Sequence, residues 1–135
     1  MTAISAEPAL YEVDEDGVPR LFGLRDSDGF VSYPFQEYGS ENNGDHGDRV
    51  RRIALAGRGT VTAVTDIHLA PNHRVGAPYT LASIVLDEGP MVRSVLIDGR
   101  DAGIDTRVRA VTVTLERDSV QVAELRFTPI TQGDR

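Results

Sequence analysis

Cysteine, tryptophan and lysine are all missing from the 135 residues. Without cysteine there is no disulfide framework, no thiolate nucleophile and no cysteine-held zinc. Without lysine (all 14 basic residues are arginine) there is no Schiff-base amine and no P-loop lysine to grip a phosphate. Aromatic residues are few, four Tyr and four Phe, so stacking platforms for bases are scarce. No apolar stretch approaches the ~20 residues a membrane helix needs. Residues 1–18 carry Glu7, Glu12, Asp14, Glu15 and Asp16 where a signal peptide would have a basic start and an apolar run. The expectation is a soluble, cytoplasmic protein with no membrane partner. A net charge of −7 opposes non-specific binding to nucleic acid or to anionic lipid.

What is present suits one domain: 40% hydrophobic and 26% charged residues are globular proportions. Composition divides the chain into an acidic, Pro/Gly-punctuated arm (1–19), a turn-rich segment (20–52), a β-rich region (53–130) and a short tail (131–135). Within 20–52, the run Gly39–Asp48 reads as a mobile loop. In 53–130, Val61, Ala63, Thr65, Ile67 and Leu69 alternate with Thr62, Asp66 and His68, with Val64 the exception, which predicts a half-buried strand entered from Ile53–Ala56 through a bend or bulge at Gly57-Arg58-Gly59. Tyr79–Leu86 and Val92–Ile97 are apolar on both faces and flank a turn at Asp87-Glu88-Gly89-Pro90. Arg109–Leu115 places Val111, Val113 and Leu115 inward; a second turn at Glu116–Ser119 leads to Val120–Phe127, where a face change suggests a bulge. The fold class is all-β. Five short antiparallel strands, the first long and bent, must cover their edges, and a five-stranded Greek-key barrel of the OB-fold kind is the preferred closure. An SH3-like barrel or a small sandwich fits the same pattern.

Candidate chemistry is thin. His46, His68 and His73 are residue types that hold zinc, but His68 falls on the polar face of its strand and His73 in a Pro/Gly loop, so no metal site is assigned. Asp45-His46-Gly47-Asp48 lacks the spacing of a calcium loop. Asp87 and Glu88 are adjacent at a turn, where side chains diverge, whereas acid–base catalysis needs convergence. Gly57-Arg58-Gly59 offers backbone amides and a cation to a phosphate, with a strand bend as the plain alternative. No nucleophile elbow occurs, and no catalytic residue is assigned. The barrel region holds two aromatics, Tyr79 and Phe127, and scattered arginines, a poor match to single-strand binding.

The ordered pieces Pro19-Arg20-Leu21-Phe22-Gly23, Gly29-Phe30-Val31-Ser32-Tyr33-Pro34, Leu55-Ala56-Gly57-Arg58-Gly59-Thr60-Val61, Pro78-Tyr79 through Leu86-Asp87-Glu88-Gly89-Pro90, and Leu125-Arg126-Phe127-Thr128-Pro129 resemble the acyl-CoA-associated family called domain of unknown function 35. The resemblance covers about residues 19–130. Family members join a rubredoxin-like zinc ribbon to an OB-fold and act as partners of thiolase-like enzymes, hydratases or aldolases in lipid and steroid side-chain breakdown and related acyl-CoA metabolism. The ribbon's two Cys-x-x-Cys knuckles would fall near Arg25–Asp28 and within Glu37–Asn43, and all four cysteines are gone. The resemblance therefore implies a degenerate, metal-free ribbon-like segment before the barrel.

It also implies a non-catalytic accessory subunit in a hetero-oligomer with a thiolase-like or other acyl-CoA enzyme. That subunit supports assembly and shapes the CoA channel. This chain would bind no cofactor itself; acyl-CoA would sit at the partner interface. Arg58 and Arg93 are the candidates for CoA-phosphate contact, since a guanidinium presents a planar fork of donors. Tyr33, Pro34 and Phe35, in a zone without metal or deep core, and Tyr79 are the candidates for partner docking; the alternative for the first three is that they plug one end of the barrel. A stand-alone OB module for single-stranded nucleic acid and a small acyl-CoA hydrolase or transferase are the competing classes.

Overall fold

The computed structural model describes residues 3–67, 79–98 and 102–130, and its only helical element among them is a 3-10 turn at Gly47–Arg49. No described helix is long and apolar enough to cross a membrane. The strands are β1 (Ile4–Ser5), β2 (Tyr11–Val13), β3 (Pro19–Arg25), β4 (Val31–Ser32), β5 (Arg51–Ala54), β6 (Arg58–Ile67), β7 (Tyr79–Leu86), β8 (Met91–Leu96), β9 (Arg107–Arg117) and β10 (Val120–Pro129). The last five form the barrel.

Runs rich in Val, Ile and Thr favour the pleated backbone, and local turn chemistry sets their order. Between β7 and β8, Gly89 (φ 120°) allows the Asp87–Pro90 turn; between β9 and β10, Asp118 (φ 52°) and Ser119 (φ 66°) make a two-residue turn whose positive angles match strand twist. β6 pairs with β7 and β7 with β8, all antiparallel. β10 runs antiparallel to β9 over its whole length and parallel to β8, with Phe127 opposite Leu96. β9 returns to β6, with Arg58, Gly59 and Thr60 opposite Arg109, Val108 and Arg107. The ring order β6-β7-β8-β10-β9 closes the sheet as an OB-fold barrel.

Four local expectations are corrected. The first barrel strand is not one bent strand: Gly57 (φ 73°) breaks it, and β5 joins a different sheet from β6. The register of β6 slips between Val61 and Ala63, and Thr62–Asp66 are exposed, so the inward alternation stops at Val61. The inward face of β9 is Val108 and Ala110, one residue out of phase with Val111, Val113 and Leu115. Both faces of that strand are apolar enough for either phase, and pairing with β10 decides. β10 has no bulge; its ladder with β9 is unbroken from Val120 to Pro129, and it is buried on both faces.

A second sheet stacks on the barrel. Its centre is β3, which pairs with β2 through Pro19–Leu21, with β5 through Phe22–Arg25 and with β4 through Leu24 and Arg25. Leu21 and Leu24 are fully buried, so residues 20–52 do not lack a deep core as expected. Tyr11, Leu21 and Leu55 share one apolar cluster with Val61, Ile84, Leu86, Val108 and Phe127 of the barrel. Fully burying a side chain of this size contributes ~1.5–3 kcal/mol, which ties the two sheets together.

The N-terminal residues close the seam between β8 and β10. β8 covers β10 only at Phe127, where Ile97 N donates to Phe127 O. Further along the same edge, β1 lies parallel to Val122–Ala123, and Ala6 N donates to Ala123 O. The Tyr11 hydroxyl fills the gap between them. It donates to Ala123 O (2.8 Å) and accepts from Leu125 N (3.1 Å). A buried strand edge needs partners for its amides and carbonyls, and here a phenol supplies them.

Candidate functional site

The two loops where the resemblance places cysteine knuckles carry a hydrogen-bonded clasp. Asp26 Oδ1 accepts from the amides of Asp28 and Phe30, the usual Asx-turn arrangement, and Asp26 Oδ2 accepts from Ser40 Oγ (2.6 Å) and Asn42 Nδ2 (3.1 Å). In the opposite sense, Asp45 Oδ2 accepts from Ser27 N, Ser27 Oγ and Asn43 Nδ2. Asn43 Nδ2 also donates to Asp28 Oδ2. Asp26, Ser40 and Asp45 are buried, so the run expected to be a mobile loop is tethered through its side chains. Among the described residues no group of three or more His, Cys, Asp or Glu could hold a metal ion. His46 sits beside Gly44 O, while His68 and His73 lie outside the described residues.

Burial raises the Asp26 carboxyl, but the bonds from Ser40, Asn42, Phe30 and Asp28 outweigh it and leave the group below its ordinary 3.8. Asp45 is also lowered, first by the Ser27 hydroxyl and amide. A carboxylate depressed on folding stabilises the native state above its unfolded value and loses that contribution as pH falls through the folded one. The clasp is therefore expected to persist to about pH 4 and to open only below it. Amide exchange at Ser27, Asp28 and Phe30 followed downward from pH 6 checks this; protection already lost near pH 5 would contradict it.

In the β7–β8 turn, the adjacent carboxylates diverge as their turn position suggested. Asp87 makes a two-toothed pair with Arg107 (2.6 and 2.9 Å), which holds its carboxyl below the ordinary value. Glu88 turns the other way, and its Oε2 accepts from Ala56 N at 2.9 Å. The other oxygen, Oε1, is buried and has no hydrogen-bond partner among the described residues.

Arg58 lies on the outward face of β6, since its neighbours Gly59 and Val61 are the buried ones. Its cross-strand partner is Arg109, also on the outward face. Like charges directly opposite one another on a sheet destabilise it, yet here two arginines face each other, and the nearby Asp87 carboxylate is engaged by Arg107, which with help from Arg58 holds it below its ordinary value. Arg93 is exposed on β8 opposite Ser83, two strand spacings and four residues of register from Arg58. That is roughly 15 Å along the sheet, too far to share one phosphate. Arg109 was missed by sequence reasoning, although Arg107-Val108-Arg109 at period two puts both arginines on one face.

The docking candidates separate. Tyr33 is half-buried against the core, donates its hydroxyl to Leu10 O (2.7 Å), and has its phenol pushed up to about 12, chiefly by burial. The Tyr33–Pro34 peptide is cis. Phe35 lines a small dent beside Phe22, whose ring carries the Arg52 guanidinium at 3.5 Å. Tyr79 begins β7 opposite Ile67, roughly 20 Å along the strand from the turn at its other end. Phe127 is wholly inside the core.

Between the β3–β4 turn and the β7–β8 turn lies a cleft of about 510 Å³. Phe30, Val31, Tyr33, Pro90 and Met91 supply its apolar lining, and Glu41 and Glu88 its charge. Residues of both sheets line this common space.

Comparison with known proteins agrees with this architecture. Residues 52–113 match the family described as ChsH2, C-terminal OB-fold domain. A solved structure described as an Ltp2–ChsH2(DUF35) aldolase is similar over 83% of this chain and 86% of that one, with a TM-score of 0.60 and 22% identity. Comparison with curated proteins returns no match.

Proposed function

We propose that this chain is a non-catalytic accessory subunit of an acyl-CoA-processing complex, partnered with an aldolase- or thiolase-type enzyme that carries out the chemistry. The observation that carries the reading is an OB barrel, matching the ChsH2 C-terminal domain over residues 52–113, in which the candidate acid–base side chains among the described residues are engaged separately rather than brought together. Asp87 and Glu88 diverge to separate partners, and the buried carboxylates Asp26 and Asp45 are occupied in a clasp. The similarity to a subunit of an aldolase supports the same class of assembly. In that assembly acyl-CoA lies at the interface, in the cytoplasm with its enzyme, and this chain lends cations to the nucleotide end.

The pair Arg58 and Arg109 is our assignment for that contact, because two outward guanidiniums on adjacent strands offer a diphosphate parallel forks of donors. Arg93 would meet a separate phosphate.

Affinity purification from native lysate at gentle salt tests the reading. A near-stoichiometric acyl-CoA enzyme is expected; recovery of the chain alone would remove the proposal. In the reconstituted complex, replacing Arg58 and Arg109 with Ala is expected to raise the partner's KM for its acyl-CoA about tenfold. The same double variant should leave the melting temperature unchanged or slightly higher, since it relieves a like-charge pair. An unchanged KM would unseat the arginine assignment alone.

A further inference from the structure

We propose that Asn43 is a spontaneous deamidation site, and that its conversion to a carboxylate unlatches the clasp between the two loops. Of the three asparagines in the chain, Asn42, Asn43 and Asn72, only Asn43 precedes a glycine. Gly44 has no side chain to shield its backbone nitrogen, and its φ of 76° is one that glycine adopts without strain. The reaction needs only water. Gly44 N loses its proton and attacks Asn43 Cγ, forming a new C–N bond. The Cγ–Nδ2 bond breaks, and Nδ2 takes that proton and leaves as ammonia. Water then opens the five-membered imide at either carbonyl, giving aspartate or its isomer with the chain routed through the side-chain carbon.

The clasp holds both reacting groups off this path. Gly44 N donates to Ser40 O at 2.9 Å. Asn43 Oδ1 accepts from Asp45 N (2.9 Å), while Nδ2 donates to Asp28 Oδ2 (2.9 Å) and Asp45 Oδ2 (3.1 Å). Asn43 and Gly44 are exposed, so water reaches them once these bonds open. A step that requires local opening runs at a rate set by the population of the open form.

The product cannot rebuild what the amide held. An oxygen in place of Nδ2 would stand at hydrogen-bond distance from two carboxylates that the amide had served as a donor. Asp45 is buried, and Arg49 acts on it more weakly than the bonds from Ser27 do. Carboxylates crowded into one site disfavour each other's ionised form. The bonds that join Ser40–Asp45 to the β3–β4 turn then give way, and since ammonia has left, the change runs one way. An intact clasp delays the event that dissolves it.

The full chain and its Ser40→Ala variant are incubated at neutral pH and followed by peptide mass mapping. Ser40→Ala removes the hydroxyl bond to Asp26 but leaves Asn43, Gly44 and the carbonyl of residue 40 in place. Conversion of amide to acid at Asn43 should accumulate in both, about tenfold faster in the variant. Isomerisation at the neighbouring Asp28-Gly29 pair leaves the mass unchanged, so the two reactions are told apart. Reaction in neither chain, or at one rate in both, would overturn the inference.

Asn43→Asp supplies the product directly. At neutral pH, amide protection at Ser27 and Gly44 should fall about tenfold, with Val61 and Leu86 of the barrel unchanged. Asn43→Ala, which removes the donors without adding charge, should lower it only about threefold. Protection retained at Ser27 in Asn43→Asp, or lost equally in the barrel, would overturn the unlatching.

Discussion

Tyr11→Phe should lower the stability of the protein by about 2 kcal/mol and its melting temperature by roughly 6–10 °C, although it removes a single oxygen. The hydroxyl is the acceptor for Leu125 N and one of two donors to Ala123 O, the other being Ala6 N. Losing it leaves the Ala123 carbonyl served and the Leu125 amide without a partner in a part-buried seam. Stranding such a donor costs ~1–3 kcal/mol. Tyr11→Ala should cost about 5 kcal/mol in all, because the ring also leaves the core it shares with Leu21 and Leu55. Urea denaturation of both variants separates the two contributions. A Tyr11→Phe variant as stable as the parent would mean that the hydroxyl does not close the seam.

The second large effect lies at Gly59. Its backbone angle is open to any residue, so the demand is one of space. A Cβ there would stand 2.5 Å from Val85 O, 2.7 Å from Ile84 Cγ2 and 3.1 Å from Leu86 Cα. These are atoms of the neighbouring strand rather than the mobile end of a side chain, and Gly59 is held between β7 and β9 at the point where the barrel closes. Gly59→Ala should therefore cost about 3 kcal/mol or more, with the loss of exchange protection centred on Gly59–Val61 and Ile84–Leu86. Gly57→Ala should be milder, near ~1 kcal/mol, though its φ of 73° is the left-handed one, because its Cβ would meet only Ala110 Cβ at 3.4 Å. The reverse order of severity would show that strain at the break between sheets, and not the close approach of strands, governs this motif.

These two residues also mark how far the sequence could be read. Turns were legible because their chemistry is local: Asp87–Pro90 and the Asp118–Ser119 pair sit between β-branched runs and lie where structure puts them. Five barrel strands followed from the same signals. Phase was not legible in β9, where Val108 and Ala110 compete with Val111, Val113 and Leu115 for the core and only the neighbouring strand decides. Gly57-Arg58-Gly59 was visible as a bend, but the division of labour between its glycines depends on which strands pass within 3 Å. The clasp joins Asp26 to Ser40 and Ser27 to Asp45, and no local pattern announces a pairing across such a span. The acidic arm looked like an appendage because Tyr11 finds its partners on the last strand of the chain.

That last separation, 112 residues between Tyr11 and Ala123, has a kinetic meaning. A contact that joins positions so distant carries the full entropy of closing the intervening chain, and it gains nothing until β6 to β10 have assembled to receive it. The phenol bridge is therefore expected to form after the folding barrier has been crossed, so that Tyr11→Phe speeds unfolding and leaves the folding rate nearly unchanged. On that expectation the seam is a latch, one that does little to hasten folding and much to lengthen the life of the folded molecule.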